Sequence, residues 1–394
     1  MIHYDFHRLN IYIKVFLSLL FIILTSCGEK IDETQLKEIA SKQFGDPIPI
    51  SQSQPDTIKF VIDISESMRG FVKSGSFQQL FSKSITSLGP KANIQFFKFD
   101  STLQKENDLY LFFNETTYNK RRAKFETLTS LMDSTSHSIQ ILLTDFQFND
   151  NQSYLETVKY FQWQLMTGKY IKIFSARPEF TGTIFPQFIF PQKTFISNKP
   201  RPLYAIIIAD RKYAKFVELL LKEVHVWENS ITLSNGSPYQ LKIINSNSNL
   251  KSNTPNLYLS SKDSLSFKCR IISPVFLEWG EWTTDVVDVQ IHSFKDSTFT
   301  QEGNVDLKIK EFKKTFDTCI FSFYKKEIDP STPNLIRIRI KPKNLPEWIW
   351  EQSCEGNGNQ ATKTVKLYDF INAVIKIVNN ELTIATEYLF ILKE

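Results

Sequence analysis

Cysteine and glycine are both scarce in this 394-residue chain, at 4 Cys and 12 Gly. Four cysteines do not make a disulfide framework for so long a chain, and no CxxC or His/Cys cluster offers a zinc site. So little glycine rules out a collagen-like repeat, and no Gly-rich phosphate loop is present. Charge of one sign is lacking too: 47 basic and 42 acidic residues leave a net +5 spread along the chain, so nucleic acid is not an implied partner. No heptad run is sustained, and no apolar run reaches the roughly 20 residues of a membrane span, which excludes coiled-coil and polytopic membrane classes. His137, His225 and His292 stand alone, with no Ser or Cys nucleophile motif, so a catalytic triad has no support. What remains is a globular composition, 42% hydrophobic and 23% charged, with 34 Phe favouring bulky packing in strands. The length predicts two or three domains.

Residues 1–14 carry His3, His7, Arg8 and Lys14 against one acid, Asp5, and an apolar run follows from Val15 to Leu24. It is too short to cross a bilayer, and the basic-then-apolar order is that of a secretory signal peptide over residues 1–26. The run ends Leu24-Thr25-Ser26-Cys27, which resembles the lipobox of bacterial lipoproteins. That resemblance implies cleavage before Cys27, acylation of its thiol and, usually, of the new amino terminus. It implies a lipid-anchored envelope protein, with the outer membrane favoured. Two or three acyl chains anchor stably where one would be marginal. The alternative is an ordinary signal peptide, or an uncleaved anchor, in which Cys27 has no special role. Residues 27–56 are polar, contain Pro47, Pro49 and Pro55, and read as a tether with a short helix over Glu33–Ser41. Of the other cysteines, Cys269, Cys319 and Cys354, an exported chain could oxidise a pair. Reduced thiols in a β-rich core fit as well.

From Ile58 onward strands and helices alternate. Ile58–Ile64, Ile94–Phe99, Leu109–Phe113, Ile139–Thr144, Tyr170–Ser175 and Leu203–Ala209 read as strands. Phe77–Leu88, Ser153–Met166 and Tyr213–Val224 read as helices, and 121–132 as an irregular stretch leading into another. This spacing predicts a doubly wound, mostly parallel α/β sheet over residues 57–226. The Pro- and Phe-rich stretch 177–201 reads as an inserted hairpin packed over an edge. Residues 227–394 change texture. Strand-like runs at 239–244, 257–260, 265–272, 286–293, 305–309, 318–324 and 335–340 predict a β-rich, sandwich-like domain, with a late helix at 365–378 and a last strand at 388–392.

The first strand ends Asp63-Ile64-Ser65-Glu66-Ser67-Met68, and the strand at 139–144 ends Leu143-Thr144-Asp145. In open α/β sheets such carboxyl ends are where ligands bind. Two carboxylates and two hydroxyls form an oxygen set that suits Mg²⁺. At these residues the chain resembles a von Willebrand factor type A domain with a metal-ion-dependent adhesion site. The resemblance covers about Asp56–Glu223. The family's Asp-x-Ser-x-Ser matches Asp63, Ser65 and Ser67, and its Thr-Asp strand end matches Thr144 and Asp145. The usual glycine after that Asp is Phe146 here, a departure expected to reshape the rim. For the motif's loop threonine Thr129 is favoured, with Thr127 next and Thr116 and Thr117 behind. The resemblance implies Mg²⁺, Mn²⁺ or Ca²⁺ held by Asp63, Ser65, Ser67, Thr129 and Asp145, with one open position for a Glu or Asp of a protein partner. On the residues alone, Asp63 could instead cap a turn and the serines cap the following helix.

The expected function is therefore a membrane-anchored binding module rather than an enzyme. One alternative is a structural subunit of an envelope assembly with a degenerate metal site. Another, a metal-assisted hydrolase, lacks a base, a second metal cluster and a nucleotide loop. Arg69 reads as a solvated loop residue, with contact to an acidic ligand as the alternative; the basic run 120–124 reads as an exposed face, and Pro346-Glu347-Trp348-Ile349-Trp350 as aromatic packing, with a recognition patch as the alternative.

Overall fold

A computed structural model describes residues 33–44, 53–88, 92–120, 123–125, 127–128, 138–148, 150–185, 194–214, 216–217, 227–235, 239–244, 257–258, 266–271, 287–301, 313–315, 318–322, 333–340, 344–355, 361–377 and 385–392. It begins with helix α1 (Glu33–Phe44) and strand β1 (Thr57–Asp63). A 3-10 turn at Glu66–Met68 leads into helices α2 (Arg69–Lys73) and α3 (Ser76–Leu88). α3 buries Phe77, Leu80, Phe81 and Leu88, one stripe at helical spacing. Strands β2 (Asn93–Phe99), β3 (Leu103–Glu106) and β4 (Ser138–Thr144) follow, then helix α4 (Asn151–Met166). α4 starts at a capping box: the Ser153 N–H donates to Asp150 Oδ1 at 2.8 Å and the Asp150 N–H to Ser153 Oγ at 3.2 Å. Strands β5 (Lys169–Ala176), β6 (Gly182–Ile184), β7 (Phe195–Ser197), β8 (Leu203–Asp210) and β9 (Asn229–Ser234) complete this part.

The first sheet has seven strands in the order β3-β2-β1-β4-β8-β5-β9. β1 runs parallel to β2 and β4, while β8 runs antiparallel to both β4 and β5. Four strands, β1, β2, β4 and β5, share one direction, and β3, β8 and β9 oppose them. The sheet is thus mixed α/β. Its break from regular alternation lies between β5 and β8, where the described residues of the connection form the β6–β7 hairpin. Antiparallel neighbours need no crossover helix.

Leu109–Phe113, expected as a strand, is a 3-10 helix. Asp108 Oδ1 accepts from the Tyr110 N–H at 3.0 Å and Asn114 Oδ1 from the Thr116 N–H at 3.0 Å. These side chains satisfy backbone donors locally, which competes with strand pairing. The strand in that part of the chain is instead the polar β3, an antiparallel edge beside β2. The helix expected at 213–224 follows a 3-10 turn at 211–213: residues 214, 216 and 217 are helical, and the rest lies outside the described residues.

A second sheet collects β10 (Tyr239–Ile244), β11 (Leu257–Tyr258), β12 (Ser266–Ile271), β13 (Val287–Lys295), β14 (Thr298–Gln301), β15 (Lys313–Thr315), β16 (Thr318–Ser322), β17 (Asn334–Ile340) and, after the insertion described below, β20 (Ala385–Leu392). Its nine strands follow the order β14-β13-β17-β20-β10-β12-β16-β15, with β11 also on β20. The strand expected at 305–309 lies outside the described residues. The β12–β16 register sets Cys269 opposite Cys319. Cys354 lies outside this sheet.

Two features depart from the expected division of the chain. First, the stretch expected as a tether carries a docked helix. α1 buries Leu36 and Ala40 against Phe294, Phe299 and Leu335 of the second sheet. The Phe299 N–H donates to Gln43 Oε1 at 2.8 Å, and the Phe44 ring lies 4.7 Å from His292. Second, the core crosses the expected boundary at residue 226. β9 pairs with β5 in the first sheet. Between β17 and β20 the chain returns to that sheet through helix α5 (Glu347–Glu351), the short strands β18 (Ser353–Cys354) and β19 (Thr364–Val365), and helix α6 (Leu367–Lys376). α6 buries Leu367, Phe370, Ile371 and Val374 in the same core as β1 and β4. Gln162 Nε2 donates to the Ala373 carbonyl at 2.8 Å, and Tyr204 Oη lies 2.9 Å from Thr364 Oγ1. The reason is the strongly one-sided apolar stripe of α6, whose cover is the α4 face of the α/β unit.

Candidate metal centre

Parallel pairing of β1 with β4 brings Asp63 and Asp145 to the same sheet edge. The turn after β1 is closed by the Ser65 N–H donating to Asp63 Oδ1 at 2.8 Å. It is pinned from outside by the Glu66 N–H donating to the Lys120 carbonyl at 2.8 Å. Ser65 Oγ and Ser67 Oγ lie 3.0 Å apart, and Ser67 Oγ donates to Asp145 Oδ1 at 3.1 Å. Thr144 Oγ1 donates to Asp63 Oδ2 at 2.7 Å. The structure therefore brings four of the sequence-predicted site residues, Asp63, Ser65, Ser67 and Asp145, into one cluster, with Thr144 tying the two strand ends together. Ser65 stands at the start of the 3-10 turn but makes no side-chain cap bond, so its hydroxyl belongs to the cluster rather than to a helix cap.

The threonines divide. Thr129 lies outside the described residues. Thr127 Oγ1 donates to the Lys124 carbonyl at 2.7 Å. Thr116 Oγ1 bonds Asn114 Oδ1, and Thr117 Oγ1 the Leu111 carbonyl, both within local turns.

Burial governs the electrostatics. Asp63 is 2% exposed and Asp145 1%. Desolvation and then the charge of Asp145 push the Asp63 carboxyl up to about 7. Burial also raises Asp145, against the pull of Arg201. Burial, with the Asp63 charge behind it, raises the Tyr118 phenol well above its ordinary range. The Asp145 Oδ2 atom is buried and makes no hydrogen bond. An ionised pair so placed calls for a cation, and an oxygen donor set of two carboxylates and two hydroxyls fits a hard divalent ion. Among the described residues no group of three or more His, Cys, Asp or Glu comes together; a site with only two carboxylates is not such a group.

Phe146, which follows Asp145, adopts φ 56°, the left-handed region. A bulky residue there is strained. Its ring is fully buried and packs against Phe125, Phe161, Tyr204 and Phe370, with centroids 4.8–6.1 Å away. The expectation that Phe146 reshapes the rim is thus corrected: the ring goes into the core, where packing holds the strained backbone.

The inserted hairpin, β6 paired with β7, packs on α2 beside the Asp63–Ser67 turn. A Cβ on Gly70 would stand 2.2 Å from the Phe180 ring, so only glycine allows this approach. The Thr181 N–H donates to the Gly70 carbonyl at 3.0 Å. Arg201, at the far end of the hairpin, is 2% exposed and stacks over Phe180 at 4.9 Å. Its two terminal nitrogens donate to the Gln147 side-chain oxygen at 3.2 and 2.7 Å, in the amide orientation that satisfies both groups. Sequence reasoning missed Arg201, Gln147 and Tyr118, because nothing in their spacing links them to the Asp-x-Ser-x-Ser turn. Arg69 forms an exposed pair with Glu115 at 3.5 Å. Trp348 and Ile349 are buried as expected of the aromatic segment, and Trp350 stacks on Tyr368 at 3.5 Å.

No family model, curated protein or solved structure matches this chain. Among the described residues no helix is long and apolar enough to cross a membrane, which says nothing of lipid anchoring, and Cys27 lies outside those residues.

Proposed function

We propose that this chain is a lipid-anchored envelope protein that binds a protein partner through a divalent cation on a von Willebrand factor type A-like domain, and that it is not an enzyme. The observation that carries the reading is the buried Asp63–Asp145 pair with Asp145 Oδ2 unpartnered beside two clustered hydroxyls. Asp63, Ser65, Ser67 and Asp145 would hold the ion, Thr129 would complete the set, and Mg²⁺ is the preferred species. When bound, the ion supplies the positive charge that a partner's Glu or Asp side chain recognises.

The chain's own groups position that exchange. Thr144 fixes the Asp63 carboxylate, the Lys120 carbonyl holds the turn, and the Phe146 cluster makes the strand ends rigid. A groove of about 580 Å³ beside Ile64, lined by Lys98, Asp100, Thr102, Thr116 and Lys120 among others, offers polar surface next to the turn. It suits the segment flanking an acidic residue. Acylation of Cys27 holds the chain at the membrane, the outer membrane being favoured, and the β-rich part is read as a sandwich-like support. The second reading, a structural subunit with a degenerate site, draws on the near-complete burial of both carboxylates and on the buried cation Arg201.

A pull-down from native envelopes with and without chelator tests the function. The expected result is a partner retained with Mg²⁺, released by chelator and absent with Asp63→Ala. Partner capture that ignores both chelator and Asp63→Ala would show that the metal is not the bridge. For the anchor, Cys27→Ser should abolish lipid labelling; normal acylation of that variant would refute it.

A further inference from the structure

We propose that the guanidinium of Arg201 is a built-in counter-cation of the Asp63–Asp145 site, a fixed positive charge that sets how tightly a divalent ion is held there. This rests on the metal reading above. Arg201 is buried, and an arginine cannot discard its charge to escape burial. Among the described residues its terminal nitrogens meet a neutral acceptor, Gln147, its face meets the Phe180 ring, and its Nε makes no hydrogen bond. A buried charge so served needs a counter-charge nearby.

Gln147 identifies it. The same residue whose side chain receives Arg201 donates its backbone N–H to Asp145 Oδ1 at 3.3 Å. The unbonded Nε of Arg201 and the unbonded Oδ2 of Asp145 are thus two buried atoms of opposite charge, joined through one intervening residue. The influence is mutual: Arg201 pulls the Asp145 carboxyl down, and Asp145 pushes Arg201 up against its burial.

Two consequences follow from charge counting. Without metal, Arg201 offsets one of the two carboxylates, so the site does not depend on a cation to fold. With a divalent ion bound, the site keeps one positive charge in excess, the amount a single ligand carboxylate neutralises. Without Arg201 the loaded site would be neutral. Arg201 therefore lowers affinity for the metal while giving the loaded site its preference for an acidic ligand.

The test is Mn²⁺ binding to the purified full chain, followed by calorimetry and by the metal-induced rise in melting temperature, for wild type, Arg201→Gln and Arg201→Lys. Arg201→Gln should bind Mn²⁺ at least about tenfold more tightly, as expected when a unit charge one residue removed from the site is lost at an effective dielectric of about 20. Arg201→Lys, which keeps the charge, should stay near wild type. Mn²⁺ binding to Arg201→Gln alone supports the charge effect and overturns the reading of the wild-type chain as a metal binder. Equal or weaker binding by folded Arg201→Gln overturns the proposal but leaves the metal reading standing, whereas no binding to any form overturns both. Should Arg201→Gln fail to fold, Gln147→Leu decides. It releases the guanidinium and should tighten Mn²⁺ binding severalfold; an unchanged affinity overturns the proposal.

Discussion

The seven-stranded and nine-stranded sheets are held together differently. In the first, β4 and β8 are buried over almost their whole length, and helices α3, α4 and α6 cover them. Phe146 sits where Phe125, Phe161, Tyr204 and Phe370 meet, so rings from four different chain segments close around one strained residue. In the second sheet, the face under α1 is mixed. Leu36, Ala40, Phe294, Phe299 and Leu335 form its buried apolar cluster, and His292, Arg337 and Arg339 are buried beside it. Burial and the two arginines press the His292 ring down to about 4, and Arg339 is paired with Asp288. A site that buries two carboxylates and an arginine needs surroundings that do not yield, and the first region supplies them. Among the described residues of the second region, the apolar cluster under α1 is completed by a helix from the N-terminal stretch.

The largest expected effect comes from cutting the first region away from what completes it. A fragment ending at Glu228 lacks β9 and α6. It should be unfolded or molten by circular dichroism and hydrogen exchange, although residues 57–226 look self-sufficient in sequence. A stably folded fragment would break the contrast, because α6 would then be an ornament and not part of the core.

Phe146→Gly sharpens the same contrast by setting two effects against each other. Glycine relieves a left-handed residue, a gain of about 1–2 kcal/mol. Removing a fully buried phenylalanine ring costs about 3–5 kcal/mol. The ring should win, with a net loss of roughly 2 kcal/mol in urea unfolding. A more stable variant would mean that the cluster around Phe146 is loosely packed.

The pH dependence of the metal-free protein should come next. The Asp63 carboxyl, raised to about 7 in the fold, stands near 3.9 when unfolded. Its protonated form thus contributes stability that is fully present below about pH 4 and is lost as pH rises through about 7. Added Mg²⁺ should restore stability above pH 7 and do little at pH 5, because the ligand must be ionised. A melting temperature with the same pH profile in Asp63→Asn would refute this.

The smallest effect belongs to the second region. Asp296 and Ser297, with φ 48° and 63°, form the two-residue loop between β13 and β14. That geometry favours glycine, so Ser297→Gly should stabilise the chain by up to about 1 kcal/mol. A loss would show that the turn is held by its side chains.

Much of the first region was legible because its strands are nearly continuous apolar runs, as at Ile139–Thr144, and its helices carry clear stripes, as at Phe77–Leu88. The Asp63–Asp145 cluster was legible for a related reason: both carboxylates end such strands, and parallel neighbours must place those ends together. The direction of β8 was not, since Leu203–Ala209 is apolar whichever way it runs. Nor was the role of α6, whose apolar stripe says that it must be covered but not by what. Leu109–Phe113 misled because five apolar residues carry no period, and the deciding signals were the flanking Asp108 and Asn114. Arg201 reaches the site only through the path of the hairpin, which no spacing encodes.

Titration of Mn²⁺ into wild type and Asp63→Ala, read by electron paramagnetic resonance, measures the central point most directly. One ion bound per wild-type chain in the millimolar range or tighter, displaced by Mg²⁺ and lost in a folded Asp63→Ala, is the expected result. If saturated, with free metal near 100 times the dissociation constant, such a site should raise stability by about 2.7 kcal/mol. A wild-type chain that leaves millimolar Mn²⁺ free in solution, or an Asp63→Ala chain that binds it as well as wild type, would contradict a metal centre built on Asp63, Ser65, Ser67 and Asp145.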